Sequence, residues 1–353
     1  MPYLIVDKFP NLINLVCNFE NLLLEKKLNK KITKPIFVTG LARSGSTIIT
    51  HILNCHSDLG SYQYKDLPYI EIPYLWSFFN KIFYFGLKDK KRIHGDGLFI
   101  GPNSPDPFEE IIWKKNLKNN YLKPTSQFLS KKFLNKKLEK ELKENINKIL
   151  YVRGSKKRYL SKGNYNITRL EYIIKLFPNA KIIVCIRSPK EQAISLTKVH
   201  KKFLDLSKTN KYLEKQLDIL GHYEFGPNRR AVYINENNFK QIQRYWRKRD
   251  DISGYLLQWS GIYKLIVEKY LLNKNISSNI HIVDNNMLIN KPEKIIKNIL
   301  NFCELKYDKF LVKKMYNLVK LKNKEKKRIE NKSRIEIDNI KLYKKILTEF
   351  VKQ

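Results

Sequence analysis

Arg43 sits inside the frame Gly40-x4-Gly45 and is followed by two hydroxyl residues, Ser46 and Thr47. A guanidinium, a pair of hydroxyls and a backbone that two glycines let fold tightly are groups that grip an anion. A second set lies about 140 residues further on: Arg187 and Ser195, with seven residues between them. A guanidinium and a hydroxyl so spaced can meet across one bound anion. For proton transfer the first candidates are His94 and Asp96, two apart in Arg92-Ile-His-Gly-Asp-Gly97. A histidine is suited to accept a proton near neutral pH, and flanking glycines let another group approach it. In an extended segment residues two apart share a face, which pairs His94 with Asp96. The same residues also read as a glycine-rich turn with a capping Asp. Asp66, Glu71, Glu109 and Glu110 are further carboxylates that could take a proton.

These side chains need elements to hold them. Pro35-Ile-Phe-Val-Thr39 reads as a short buried strand, Gly40 to Gly45 as a tight loop, and a helix follows from about Ser46. That helix would aim its free amides and positive dipole end into the loop, which makes an anion site suited to phosphate. The frame is that of a nucleotide-binding P-loop, yet Ser46 and Thr47 stand where Walker A needs Lys followed by Ser or Thr. The cation is Arg43 instead, which suits an anion lacking a γ-phosphate. A second buried strand, Ile182 to Ile186, ends at Arg187, and Pro189 fits the first turn of the helix that contains Ser195. An arginine at the carboxyl end of a strand stands where ligands of open α/β sheets bind.

Together the two motifs resemble the sulfotransferases that use 3′-phosphoadenosine-5′-phosphosulfate (PAPS). The family's first loop, Pro-Arg-Ser-Gly-Thr-Thr or Pro-Lys-Ser-Gly-Thr-Thr, holds the 5′-phosphosulfate, and an Arg-x7-Ser pair holds the 3′-phosphate. Here the loop is Ala42-Arg-Ser-Gly-Ser-Thr47 and the pair is Arg187 with Ser195. Ala42 replaces the usual Pro and loosens the turn; Ser46 replaces Thr but keeps a hydroxyl. The resemblance assigns donor binding to Arg43, Ser44, Gly45, Ser46, Thr47, Ile48, Arg187 and Ser195, with Arg43 bridging the 5′-phosphate and the transferring sulfuryl group. Tyr159-Leu-Ser-Lys162 also looks like the bacterial branch, which places a lysine in a Leu-Lys-Ser-Pro-like segment, so Lys162 is a second cationic candidate.

What the resemblance implies is a three-layer α/β fold of P-loop type, with a central parallel sheet flanked by helices and a largely helical acceptor region. One domain over 1–353 is expected: a helical extension to 33, a cofactor-binding core over 34–200, the acceptor region over 201–275, and a C-terminal strand and helices. The reaction needs no metal, because arginine, lysine and backbone amides can supply the positive field. The acceptor is a hydroxyl or an amine on a glycan, lipid, peptide or small alcohol or phenol.

The chain has 353 residues and a formal net charge of +36. Such charge favours anionic partners: a multiply charged nucleotide, an acidic glycan, nucleic acid or a membrane surface. It is spread along the chain, however, and Lys, Asn and Ile are abundant throughout, as an A/T-biased coding sequence produces. That background takes the larger share, so the charge favours nucleotide capture and nucleic acid is not the expected partner. Cys17, Cys55, Cys185 and Cys303 are isolated, which argues against a disulfide framework or structural zinc. No apolar run reaches the roughly 18 residues of a spanning helix. Met1 to Glu25 is apolar-rich but carries Asp7 and Glu20 and no basic leader, so it reads as an amphipathic helix and not a secretory signal. A cytoplasmic enzyme is expected, with peripheral membrane contact left open.

Elsewhere, Leu59 to Tyr64 reads as a second strand, and Tyr69 to Phe85 is dense in aromatics. That density reads as core, with the wall of an acceptor pocket as the alternative. Residues 131–150 carry Leu138, Leu142, Ile146 and Ile149 at helical spacing. Residues 200–275 read as helical, broken at Gly221 and Gly226-Pro227, with His222 and Glu224 able to line the acceptor site. A late strand over Ile280–Asp284 and a helix from about Pro292 follow. The resemblance also implies that a basic segment near the C-terminus closes over the 3′-phosphate, which here would fall to Lys326, Lys327 or Arg328. Two other classes share features with this chain. A small-molecule kinase should have the Walker lysine and an acidic Mg²⁺ ligand, and a non-catalytic binder of nucleic acid or glycan would not need two matched half-sites.

Overall fold

The computed structural model describes residues 10–84, 86–95, 97–117, 128–320 and 334–351. Five strands form a parallel sheet: β1 (Ile36–Thr39), β2 (Leu59–Gly60), β5 (Arg158–Lys162), β6 (Lys181–Ile186) and β7 (Ile280–Asp284), in the order β2-β5-β1-β6-β7. A separate hairpin pairs β3 (Lys90–Lys91) with β4 (Phe99–Ile100) antiparallel. β1, β6 and β7 are rich in Ile, Val and Phe, as expected where both faces are covered.

Alternation along the strands divides the core in two. Phe37, Ile182, Val184, Ile186 and Ile282 join one apolar cluster with Leu138, Leu142, Ile146 and Ile149 of the helix Lys136–Arg153 and Trp259 and Tyr263 of the helix Asp251–Leu265. Ile36, Val38, Ile183, Cys185 and Val283 face the other way, onto Ile48, Ile49 and Ile52 of the helix Ser46–Asn54 and Ile295, Ile296 and Ile299 of the helix Pro292–Phe302. Helices therefore cover both faces, giving the three layers expected. A third cluster, with Leu196, Phe203, Leu217, Phe225, Ile242 and Trp246, joins the helices that follow β6.

Because all five strands run the same way, their carboxyl ends share one edge. Val38 lies in register with Lys162, Thr39 with Val184, and Ile186 with Asp284. The loop after β1, Lys162 at the end of β5 and Arg187 just beyond β6 are thus brought to one edge by pairing alone.

Three expectations need correction. The second strand is only Leu59–Gly60, and Tyr64–Asp66 is a 3-10 turn capped through Gln63. The aromatic segment forms the helix Pro73–Phe83, but Phe78, Phe79, Ile82 and Phe83 are exposed, so it is neither all core nor a pocket wall. The segment around His94 is not extended: the Arg92 amide donates to Leu98 O at 2.8 Å, and Gly95 and Gly97 take φ of +66° and +73° to turn the chain. Among the described residues no helix is long and apolar enough to cross a membrane.

Candidate active site

The loop after β1 is held open by its backbone. Arg43 and Gly45 take φ of +70° and +105°, and the Ser44 amide donates to Leu41 O at 3.1 Å. A Cβ on Gly45 would lie 2.6 Å from Asn285 Oδ1, so only glycine fits there, between the loop and the end of β7. The helix Ser46–Asn54 begins at once, with no side chain capping its first amides. Those amides are the donors an anion would take up.

Two bonds tie the loop to the helix Pro189–Thr209. Arg43 Nε donates to Ser195 Oγ at 3.0 Å, and Gln192 Nε2 donates to Ala42 O at 2.8 Å. The end of β6 is fixed from the other face, where Tyr263 Oη donates to Cys185 O at 2.7 Å and Trp259 Nε1 to Arg187 O at 3.1 Å.

A cavity of about 50 Å³ opens beside the loop, lined by Arg43, Gly45, Ser46, Thr47, Ile48, Arg92, His94, Lys162, Asn164, Arg187 and His222 among others. Four side chains on its wall, Arg43, Arg92, Lys162 and Arg187, carry guanidinium or ammonium groups, and no carboxylate is among its lining residues. Arg187 Nε reaches Glu191 at 3.2 Å. Lys162 Nζ donates to Asp106 Oδ1 at 2.8 Å, while Tyr64 Oη donates to Asp106 Oδ2 at 2.5 Å. Burial opposes the charge on Asp106, but Lys162 and Arg92 outweigh it and hold the carboxyl well below the usual range. Burial pulls the Lys162 ammonium below its ordinary value, with Asp106 opposing.

A second cavity of about 150 Å³ adjoins the first and is apolar over most of its wall, with Phe108, Phe203, Leu213, Leu217, Leu220 and Phe225. Arg92, His94, His222 and Phe225 line both. His94 packs against the rings of Phe203 and Phe225, at centroid distances of 5.3 and 5.4 Å, and those two rings also touch each other at 4.7 Å. Desolvation first, then the charges of Arg92, Arg43 and His222, hold its imidazole well below 6.5. His94 is therefore neutral near pH 7 and free to accept a proton. His222 Nδ1 lies 3.5 Å from Glu224 Oε2, and Asn164 Nδ2 donates to Glu224 Oε1 at 2.7 Å.

The expected site residues are therefore largely gathered. Arg43, Gly45, Ser46, Thr47, Ile48, Lys162, Arg187 and His94 line one cavity, Ser195 supports Arg43, and Ser44 is buried within the loop. Asp66 is placed elsewhere. Its carboxylate is fully buried, ion-paired with Arg153 and accepting the Gln63 amide, so it cannot reach either cavity. Asp96, Lys326, Lys327 and Arg328 lie outside the described residues. Sequence reasoning assigned no role to Arg92, Asn164 or Asp106. Arg92 Nη1 donates to Thr47 Oγ1 at 3.3 Å, and Ser46 Oγ donates to Asn164 Oδ1 at 3.3 Å, so both reach the start of the helix that follows the loop after β1. Asn164, only two residues beyond the strand-end Lys162, was the one open to inspection.

A sulfotransferase domain model matches residues 33–349, and the chain belongs to that family. No curated protein matches it. Among solved structures it resembles sulfotransferase STF9 from Mycobacterium avium, with a TM-score of 0.55 at 13% identity over 95% of this chain and 82% of that one. It also resembles sulfotransferase STF1 from Mycobacterium tuberculosis H37Rv, with a TM-score of 0.51 at 12% identity over 86% and 76%. At that identity the likeness is one of fold.

Proposed function

We propose that this sulfotransferase moves the sulfuryl group of PAPS to the hydroxyl of an acceptor with an apolar body, with His94 taking the hydroxyl proton. One observation carries the reading: His94 stands where a cation-lined cavity meets an apolar one. The residues present suit the donor. Arg43, the free amides of the helix Ser46–Asn54 and the Ser46 and Thr47 hydroxyls suit the 5′-phosphosulfate, and Lys162 adds a second cation. Arg187 suits the 3′-phosphate, with Ser195 holding Arg43 in place.

In the reaction the acceptor oxygen attacks sulfur and forms a new S–O bond, while the S–O bond to the 5′-phosphate breaks. The leaving adenosine 3′,5′-bisphosphate keeps that oxygen and its electron pair, and the acceptor proton passes to His94. Positive groups fixed in place before the reaction stabilise the growing phosphate charge. The segment 201–275 contributes Phe203, Leu213, Leu217, Leu220, His222 and Phe225 to the apolar cavity, which supports reading it as the acceptor region. A kinase reading has less support, because Ser46 stands where a Walker lysine would contact further phosphates.

The test is transfer of label from sulfur-labelled PAPS to a panel of alcohols, phenols and sugars. The reading predicts transfer to phenols and alkyl alcohols in preference to sugars. His94→Ala should lower kcat by about 10²-fold or more with nucleotide affinity nearly unchanged. Transfer that His94→Ala leaves intact would remove His94 from the role.

A further inference from the structure

The helix Pro10–Leu23 turns its apolar stripe toward solvent. Leu12, Leu15, Phe19, Leu22 and Leu23 fall on one face of the helical period and are 53 to 72% exposed. Its opposite side is already engaged: Glu20 Oε2 accepts from the Leu75 amide at 2.7 Å, and Cys17 Sγ contacts Glu71 O at 3.6 Å. This helix therefore sits against the start of the helix Pro73–Phe83, which exposes Phe78, Phe79, Ile82 and Phe83 at 56 to 76%. The chain continues through Leu87 into the β3–β4 hairpin, whose Ile93 and Phe99 are also about half exposed. Scattered apolar residues are normal on a surface, but neighbouring elements that all expose large ones mark an interaction site.

The charges beside these residues select the partner. Exposed Lys26, Lys27, Lys30 and Lys31 follow the first helix, and Lys88, Lys90 and Lys91 follow the second; Glu25 and Asp89 are the only carboxylates in those two stretches. A second copy docked face to face would bring lysines against lysines. An anionic lipid surface accepts both features, the apolar side chains entering the acyl boundary and the lysines meeting headgroups. We infer that this face docks the protein on the surface of an anionic membrane, lying on the bilayer without crossing it. The inference is independent of the donor and acceptor assignments.

The experiment is co-sedimentation of the full chain with extruded vesicles of phosphatidylcholine alone or mixed with phosphatidylglycerol. The chain should bind the mixed vesicles at least about tenfold more strongly, less so as salt is raised. A variant with Leu15→Gln, Leu22→Gln, Phe79→Gln and Ile82→Gln should lose most of that binding while keeping the wild-type circular dichroism. Neutralising Lys26, Lys27, Lys30 and Lys31 to Gln should shrink the preference for phosphatidylglycerol. Three results would overturn the inference: no sedimentation with mixed vesicles, binding unaffected by the apolar substitutions, or a wild-type dimer that those substitutions convert to monomer in light scattering.

Discussion

Arg43 Nε donates a hydrogen bond to Ser195 Oγ at 3.0 Å, joining a loop and a helix 152 residues apart in sequence. The backbone of Arg43 is set by its positive φ, and this bond sets its side chain as well. A guanidinium fixed before its ligand arrives loses less entropy on binding.

Ser195→Ala removes that restraint without touching the loop backbone. Hydrogen bonds to charged groups contribute about 1.5–3 kcal/mol, so affinity for adenosine 3′,5′-bisphosphate should fall about tenfold or more. Calorimetric titration measures this directly, and a change below about twofold would show that the bond does not position Arg43.

Gly45→Ala meets two obstacles, the φ of +105° and Asn285 Oδ1 at 2.6 Å from the new Cβ. The backbone strain alone is worth roughly 1–3 kcal/mol. Adding Asn285→Ala relieves the contact but not the strain, so the double variant should melt between Gly45→Ala and wild type. Equal melting of single and double variants would show that Asn285 does not constrain the loop.

With His94 taking the proton as proposed, it sets the pH dependence. Its imidazole is held well below 6.5, mainly by desolvation and then by Arg92, Arg43 and His222. A proton acceptor works in its neutral form, so activity is present above the folded pKa and lost as pH falls through it. The acid limb of kcat/KM, which reports the free enzyme, should therefore lie below pH 6.5. A bound anionic donor places negative charge near the ring and raises its pKa. The acid limb of kcat should accordingly lie higher than that of kcat/KM. Coincident limbs, or a kcat/KM limb above 6.5, would contradict this.

Lys162 and Asp106 form a buried pair at 2.8 Å. Asp106→Asn leaves the ammonium uncompensated, which costs about 3–5 kcal/mol when such a pair is broken from one side. Adding Lys162→Met removes the stranded charge and should restore much of the stability, but not turnover. Denaturant unfolding of the three proteins checks the order, and a double variant no more stable than Asp106→Asn would argue against a paired ammonium.

Much of the fold, and the strand–loop–helix around Arg43, is legible in the sequence, for local physical reasons. The run Ile182–Ile186 is apolar on both faces, and that marks a strand covered by helices on each side. Gly40, Gly45 and Pro189 punctuate the elements around the loop after β1, and Leu138, Leu142, Ile146 and Ile149 declare their helix by period. The hidden parts depend on contacts between distant segments. Asp106 follows no periodic element, and only the fold brings it to Lys162, 56 positions later. Asp66 reads as a free carboxylate until Arg153 is seen beside it. The aromatic helix Pro73–Phe83 misleads because aromatic density signals burial without saying against what, and here half of it meets solvent.

The most direct measurement is calorimetric titration with adenosine 3′,5′-bisphosphate and, separately, ATP, on wild type and on Arg187→Ala. The account predicts that the bisphosphate binds more tightly than ATP and that Arg187→Ala weakens it about tenfold or more, in line with a lost charge-assisted hydrogen bond. Preference for ATP, or an affinity that Arg187→Ala leaves unchanged, would contradict it.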